Sequence, residues 1–245
     1  MNALEYLRYI ARMEGENPIA LASEVSYIFA DMARDRELLV SAVRRLLDHH
    51  GDLGVMWMVG ARVLGSLFPE EEAWQLVSEL SVSEDIRLQA LMDGIWIIFR
   101  ADGSIDLTGT DQFKDWIWSE NDSLDDLLRR ESAVGIALES DLVGPGFALV
   151  SASAQHALRD SIYGADREKL IIANSFSLVP ASIRSSLCER VSTDGFARTA
   201  NLLTDLDANY KVLYRGSKFA PSHIDNLVKW RVPQEILKSA GPLLG

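Results

Sequence analysis

Residues 94–99 read Gly-Ile-Trp-Ile-Ile-Phe, a short apolar run that is closed by the polar segment Ala101-Asp102-Gly103-Ser104. β-Branched and aromatic residues dominate the run, and its length is that of a strand rather than of a core helix. A continuous apolar run bounded by Gly and Asp is typical of a strand buried on both faces, as in a parallel sheet. We therefore expect a domain built on a parallel sheet to begin at residue 94.

Further runs of the same kind recur in the second half of the chain. They cover 116–118, 133–138, 170–173 and 209–215, and helical patterns lie between or after them at 124–130, 152–163 and 183–191. Strands that alternate with helices indicate βαβ crossovers and a sheet covered by helices on both faces. The predicted fold class is therefore α/β, with a Rossmann-like, mostly parallel sheet. The chain has no Gly-x-Gly-x-x-Gly fingerprint, so nothing supports dinucleotide binding.

The first 93 residues predict a separate helical domain. Apolar residues recur there at three- and four-residue spacing, as in 38–47, where Leu38, Leu39, Val43, Leu46 and Leu47 mark one face. Pro69 followed by three glutamates predicts a helix start, because proline fits the first turn and acids favour the positive end of the helix dipole. The expected organisation is a helical domain at 1–93 and a Rossmann-like α/β domain at 94–245.

Composition excludes several classes of protein. The chain has 245 residues, with 36 Asp and Glu against 24 Lys and Arg, and a formal net charge of −12. This excess of acidic residues argues against dedicated nucleic-acid binding, which needs clustered Lys and Arg side chains. The longest apolar runs are far shorter than the roughly 20 residues of a membrane span, and the N-terminus lacks the apolar core of a signal peptide. A cytoplasmic protein that binds neither membrane nor nucleic acid is expected.

The cysteine and histidine content offers little for metal or redox chemistry. The single cysteine, Cys188, excludes an intramolecular disulfide or a cysteine-based zinc site and fits a reducing cytosol. It lies in a helical pattern with Leu187 and Val191 and is expected to be a small core residue. The four histidines form no metal-binding motif. No metal and no cofactor are therefore predicted.

Asp141 is the first candidate for a functional group. It follows the predicted strand 133–138 and precedes Gly144-Pro145-Gly146. Ligands of open parallel sheets bind outside the carboxyl ends of the strands, so this carboxylate could hydrogen-bond ribose hydroxyls or act as a general base. Gly144 and Gly146 could form a nest of backbone amides for a phosphate. The alternative is that Asp141 caps the loop backbone, as Asp does in many turns.

Asp102 and Ser104 end the first strand in a similar way. Gly103 would let backbone amides approach a phosphate, and Ser104 could add a donor. A plain turn explains the same residues. Ser151 and Ser153 precede the next helix, where they could bind an anion at its N-terminus or simply cap it.

The order of these landmarks points to a known family. One strand runs into residues 139–147, Glu-Ser-Asp-Leu-Val-Gly-Pro-Gly-Phe, then a helix and the strand 169–173 follow, and 219–225 read Phe-Ala-Pro-Ser-His-Ile-Asp. Over residues 94–230, and by arrangement in the helical beginning, this resembles the initiation factor 2B alpha/beta/delta family and the related methylthioribose-1-phosphate and ribose-1,5-bisphosphate isomerases. The resemblance implies a sugar-isomerase and CoA-transferase-like Rossmann fold that is built to dimerise.

The chain also departs from that family. The isomerases carry a cysteine shortly after the first strand, and residues 100–104 contain none. Their Asn-Lys-x-Gly-Thr continuation after the Asp loop is replaced by Ala-Leu-Val-Ser-Ala at 148–152. Asp141 matches the catalytic acid of the isomerases, but two-group proton transfer needs a second group. No catalytic residue is therefore predicted.

Three hypotheses follow. The first is a non-catalytic, initiation-factor-2B-like protein that forms a homodimer through its α/β half. The alternative is an isomerase or a binding protein for a phosphorylated sugar or nucleotide, with its site at the strand ends. The residues of that site would be Asp141, Gly144, Gly146, Asp102 and Ser104. In a third hypothesis, the acidic helical third recruits a basic partner.

Overall fold

The computed structural model describes residues 3–10, 17–82, 94–108, 123–160, 166–192 and 201–238. The chain divides into two compact units. The helical unit is built from 1–84, 178–199 and 225–245, and the α/β unit from 85–177 and 200–224. The helical unit therefore takes in two later segments that the sequence division at residue 93 assigned to the α/β part.

Helices make up most of the first unit and flank the strands of the second. Within the described residues they are α1 (Ala3–Ile10), α2 (Pro18–Met32), α3 (Arg36–His50), α4 (Gly54–Gly65), α5 (Pro69–Leu80), α6 (Leu124–Arg130), α7 (Ala152–Asp160), α8 (Arg184–Ser192) and α9 (Gln234–Leu237). The helix predicted at Pro69 is confirmed, and its proline stands in the first turn. None of these helices is long and apolar enough to cross a membrane.

Two helices of the first unit begin at side chains that accept hydrogen bonds from backbone amides. Asn17 Oδ1 accepts from the amides of Ile19 and Ala20 at 2.9 and 3.3 Å, at the start of α2. Asp35 Oδ1 accepts from the amide of Leu38 at 3.0 Å, at the start of α3. Such caps satisfy N–H groups that have no partner inside the helix, and they fix where each helix starts.

α4 lies at the core of the helical unit, with Trp57 fully buried. Its Arg62 reaches α5, where Nε donates to Glu72 at 2.6 Å and Nη1 and Nη2 donate to Glu79 at 2.5 and 3.1 Å. Burial lowers the pKa of Arg62, but the bonds to Glu79 and Glu72 outweigh it and raise the pKa overall. These ion pairs hold α5 against α4.

Arg190 ties α8 to the rest of the helical unit. Its Nε donates to Asp48 Oδ1 of α3 at 3.0 Å, and its guanidinium lies 5.0 Å from the ring centroid of Trp57. It also donates to the backbone oxygens of Ile236 and Lys238, both at 3.2 Å. α8 buries Ser186, Leu187 and Arg190, whereas Cys188 lies on the exposed side of the helix. The prediction that Cys188 is a core residue was wrong.

The α/β unit is organised around a six-stranded sheet. The described strands are β1 (Trp96–Phe99), β2 (Ile105–Leu107), β3 (Gly135–Ser140), β4 (Val143–Gly144), β5 (Phe147–Ser151), β6 (Glu168–Ala173), β7 (Asn201–Asp205), β8 (Tyr210–Tyr214) and β9 (Ser217–Phe219). The sheet order is β2-β1-β3-β6-β8-β9, and the four central strands run parallel. The predicted mostly parallel α/β fold is confirmed. The strand predicted at 116–118 lies outside the described residues.

A second, antiparallel sheet was not predicted. It has the order β4-β5-β7, and β5 pairs with β7 from Phe147 opposite Asp205 to Ser151 opposite Asn201. α7 packs against β5 and β7, and Gln155 Nε2 donates to Thr204 Oγ1 at 3.1 Å. The segment after Asp141 is therefore a hairpin of the second sheet rather than an open loop.

Candidate functional site at the strand ends

Ser140 and Asp141 stand where β3 ends and the chain turns into β4. Ser140 is buried, and its Oγ lies 2.8 and 2.7 Å from the backbone oxygens of Leu142 and Leu149. The amide of Leu142 donates back to this Oγ at 3.3 Å. Ser140 thus fixes the bend, and Asp141 follows it in a half-buried position at the carboxyl edge of the parallel sheet. This is the edge at which a ligand of such a sheet would bind.

A cluster of charged side chains brings together Arg100, which follows β1, Glu139 near the end of β3, and Asp106 of the neighbouring strand β2. Arg100 Nε donates to Asp106 Oδ2 at 2.6 Å, and its Nη1 lies 3.4 Å from Glu139 Oε1. Glu139 Oε2 also accepts from the amide of Ala101 at 3.3 Å. Burial lowers the pKa of Arg100, but its hydrogen bond to Asp106 and the charge of Glu139 outweigh it and raise the pKa. One cation is matched here by two carboxylates, so the cluster does not favour an anion.

Asp102 and Ser104 lie close together and are hydrogen-bonded to each other. Asp102 Oδ1 accepts from both the amide and the hydroxyl of Ser104, at 2.9 and 2.7 Å. These bonds to Ser104 lower the pKa of Asp102. The amide of Arg100 donates to the carbonyl of Ser104 at 2.8 Å, which closes the turn between β1 and β2. The carboxylate therefore serves its own turn, and ligand binding by these two residues stays a prediction.

Gly144 and Gly146 belong to the hairpin between β4 and β5. A Cβ on Gly144 would lie 2.1 Å from the ring of Phe147, so the ring packs directly on the glycine backbone. Gly146 follows Pro145 in the turn and has a φ of +77°, a conformation that is unfavourable for residues with a side chain. Its carbonyl accepts from the amide of Leu206 at 2.9 Å. The close ring contact and the positive φ explain why glycine stands at these two positions. Phosphate binding by them stays a prediction.

Ser151 caps α7, and Ser153, in the first turn of that helix, contacts the turn between β1 and β2. The amide of Ala154 donates to Ser151 Oγ at 3.3 Å, and the hydroxyls of Ser151 and Ser153 lie 3.1 Å apart. Ser153 Oγ in turn donates to the carbonyl of Gly103 at 3.4 Å. The capping interpretation accounts for Ser151, and Ser153 links α7 to the turn between β1 and β2.

The same edge carries polar residues that the sequence analysis missed. Asn174 follows β6, and its Oδ1 accepts from the amide of Phe176 at 2.8 Å. Arg215 follows β8 with a φ of +46°, and its Nε donates to Ser175 Oγ at 3.0 Å. The signal that could have found them is the one used for Asp141, a polar residue directly after a buried parallel strand.

A separate groove of about 430 Å³ lies in the helical unit. Three arginines of α3 line it, Arg36, Arg44 and Arg45, together with Glu37 and Glu235. Arg36 Nη2 pairs with Glu235 Oε1 at 3.1 Å, and Arg44 Nε donates to the carbonyl of Glu235 at 2.5 Å. Two of the three guanidinium groups are thus engaged with α9 rather than open to a ligand.

Comparison with known proteins identifies the fold. No family model and no curated protein matches the chain. It is similar to a chain in the crystal structure of the tetrameric eIF2B-beta2-delta2 complex from C. thermophilum, with 11% identity, 92% of each chain covered and a TM-score of 0.59. It is also similar to eIF2B beta from Chaetomium thermophilum, with 10% identity, 91% of this chain and 90% of that chain covered, and a TM-score of 0.57.

These structures place the chain in a fold class, that of eIF2B beta and delta subunits. The likeness extends over nearly the whole chain, including the helical beginning. The resemblance to the initiation factor 2B family is therefore confirmed at the level of the fold. At about one identical residue in ten, the comparison carries the fold and not the activity.

Proposed function

We propose that this chain is a non-catalytic, initiation-factor-2B-like protein that self-associates through its α/β half. The observation that carries the non-catalytic part is the ion-paired cluster of Arg100, Asp106 and Glu139. General acid–base catalysis needs groups that can exchange protons with a substrate. Here the charged groups of this cluster contact one another, and no thiol stands in 100–104 to assist Asp141.

The fold supports the self-association. A chain of the same fold stands in the crystal structure of a tetrameric complex, and the match covers 92% of both chains. The resemblance to the initiation factor 2B family, whose fold is built to dimerise, points the same way. We therefore expect two copies of this chain to associate by the α/β unit.

Light scattering coupled to size-exclusion chromatography tests the assembly. The expected result is a mass of twice the 27.2 kDa chain at micromolar concentration. Hydrogen exchange at low and high protein concentration then locates the contact, with added protection expected in 94–177 and 200–224. A strict monomer contradicts self-association, and protection confined to the helical unit contradicts the assignment to the α/β half.

Phosphorus NMR tests the absence of catalysis. Methylthioribose-1-phosphate and ribose-1,5-bisphosphate are each incubated with a stoichiometric amount of protein. We expect no isomerised product from either. Turnover by the wild type that disappears in Asp141→Asn would show a working active site and overturn this part of the proposal.

A second candidate function is the binding of a phosphorylated sugar or nucleotide at the strand ends. The observation that favours it is Arg215, which is exposed beside Ser175 at the edge where Asp141 also lies. A ligand at this edge would raise the melting temperature, because binding to the native state stabilises it. A thermal-shift screen with pentose phosphates and nucleoside monophosphates, repeated with Arg215→Ala, tests it. A shift that Arg215→Ala removes supports binding, and no shift contradicts it.

A further inference from the structure

The helical unit carries an exposed apolar surface on α2 and α5. Tyr27 of α2 and Trp74 of α5 meet edge to face, with ring centroids 5.2 Å apart and planes at 82°. They are 43% and 47% exposed, and Leu67 and Phe68 at the start of α5 are 91% and 63% exposed. We call these four residues the α2/α5 surface. Tyr27 and Trp74 are in contact, and Leu67 and Phe68 stand in the turn that leads into the helix of Trp74. Large apolar residues exposed on adjoining elements in this way mark a candidate interaction site.

This surface is held in place from below. α2 packs closely on α5, with Val25 and Phe29 of α2 and Leu76 of α5 fully buried. The turn before α5 is also fixed, because the amide of Phe68 donates to Ser66 Oγ at 3.0 Å and its carbonyl accepts from the amide of Glu72 at 3.0 Å. Preformed contact residues lose little conformational entropy when they bind, so such a surface suits association.

All charged residues of α2 and α5 are acidic. Neither contains Lys or Arg, and together they carry the six acids Glu24, Asp31, Glu70, Glu71, Glu72 and Glu79. Arg62 pairs with the last two. In the described part of the chain, Asp31, Glu70 and Glu71 make no ion pair, and all three are exposed. They are therefore available to a cationic partner.

These carboxylates border the aromatic residues. Glu70 and Glu71 stand four and three residues before Trp74, which places them on neighbouring turns of one helix face. Asp31 stands four residues after Tyr27 on α2 and is related to it in the same way. The α2/α5 surface thus combines an apolar centre with an anionic border.

We propose that the α2/α5 surface docks a basic amphipathic helix of another polypeptide. The apolar face of that helix would cover Tyr27, Phe68 and Trp74, and its Lys and Arg side chains would meet the carboxylates at the border. Trp and Tyr are the residue types that most often dominate such interfaces. A second copy of this chain fits poorly, because a two-fold contact of this surface with itself would bring two sets of carboxylates together without a cation.

Fluorescence anisotropy tests the docking with a defined probe. The probe is a fluorescein-labelled Leu/Lys peptide with helical spacing of its leucines, and a Leu/Glu peptide of the same pattern is its control. The full chain is expected to bind the Leu/Lys peptide, to ignore the Leu/Glu peptide, and to lose affinity as salt rises. Trp74→Ala is expected to weaken binding about tenfold or more, as for an interface hot spot.

Matched variants separate the surface from general charge. Glu70→Lys with Glu71→Lys is expected to weaken binding about tenfold, because it reverses the border. Asp126→Lys with Asp166→Lys makes the same change in net charge in the other unit, and the affinity is expected to stay within about twofold of the wild type. Equal losses of affinity in the two double variants would show that binding depends only on the net charge of the protein, and would overturn the proposal.

Phe68→Ser protects the test against misfolding. This residue is exposed and is not part of the Tyr27–Trp74 ring pair. Its loss should therefore lower the affinity for the peptide without loosening the packing of α2 on α5. Unchanged affinity in both Trp74→Ala and Phe68→Ser, with melting temperatures retained, overturns the docking site. Light scattering adds a further outcome. If Trp74→Ala converts an assembled wild type to a monomer, the occupant is a second copy and the proposal is wrong.

Discussion

Arg190 Nε donates to Asp48 Oδ1 across 3.0 Å, although the arginine side chain is only 2% exposed. The same guanidinium donates to the backbone oxygens of Ile236 and Lys238. Burial lowers the pKa of Arg190, which Asp48 opposes by its charge and its hydrogen bond. One side chain therefore joins α3, α8 and α9, three helices that are far apart in the sequence.

Arg190→Met is expected to lower the free energy of unfolding by about 2–4 kcal/mol, because it removes the donor to the half-buried Asp48 and to the backbone oxygens of Ile236 and Lys238. Denaturant unfolding followed by circular dichroism measures it. Arg34→Met, at an exposed arginine, is the control and should change stability by about 0.5 kcal/mol or less. If the two variants behave alike, Arg190 does not hold the helical unit together.

Glu79→Gln should remove a pH-dependent part of the stability. The hydrogen bond from Arg62 lowers the pKa of Glu79 below its ordinary value, and the bond from Gln75 adds to this. The native carboxyl therefore binds fewer protons than the unfolded one. Its contribution is present above about pH 5 and is lost as the pH falls through the lowered native pKa.

Urea unfolding at pH 7 and pH 3.5 checks this expectation. Because Glu79 is partly exposed, the variant should be less stable than the wild type by about 0.5–1 kcal/mol at pH 7, and the difference should shrink at pH 3.5. Glu71→Gln removes an exposed carboxylate on the same helix and should show neither effect. A constant difference at both pH values would mean that the ion pair does not contribute.

Gly144→Ala should destabilise the protein by about 1–3 kcal/mol, because its Cβ would collide with the ring of Phe147. Gly65→Ala is the matched control, since nothing lies within 4 Å of a Cβ at the end of α4. That substitution should leave stability within about 0.5 kcal/mol or raise it. Thermal unfolding distinguishes the two, and a neutral Gly144→Ala would show that the hairpin can shift without cost.

Asp102→Ala should cost about 1 kcal/mol, the usual loss when a capping side chain is removed. Asp102→Asn keeps the acceptor oxygen for the amide of Ser104 and should recover most of that loss. Chemical denaturation measures both, with Asp166→Ala as the exposed control. Equal destabilisation by Ala and Asn would show that the charge of Asp102, and not its turn geometry, stabilises the β1–β2 hairpin.

The parallel strands could be predicted because each is buried on both faces. Residues 136–138 and 170–173 are apolar without interruption, and the structure places them in β3 and β6. The second sheet could not be predicted in the same way. β5 follows directly after Pro145-Gly146, so its residues looked like the end of a turn, and its partner β7 lies about fifty residues away.

The candidate site shows the same limit more sharply. Asp141 could be singled out from its position after a strand, which is a local property. The contact between Arg100 and Glu139 depends instead on the register that sets Phe99 beside Leu138. The register is fixed by packing on both faces of the sheet, and it cannot be predicted from the sequence of either strand alone. The pairing of Arg100 with Glu139 was therefore missed, although both residues directly follow buried runs.

The discontinuous helical unit has a consequence for synthesis on the ribosome. Its segment 1–84 emerges early, but α8, whose Arg190 pairs with Asp48 of α3, emerges only after β1, β3 and β6, and α9 emerges after the whole parallel sheet has been translated. At about 5–20 residues per second, the delay between residues 84 and 237 is roughly 8–30 s. During that interval α3 lacks its contacts with α8 and α9, so the helical unit is expected to complete its folding only after most of the chain has been synthesised.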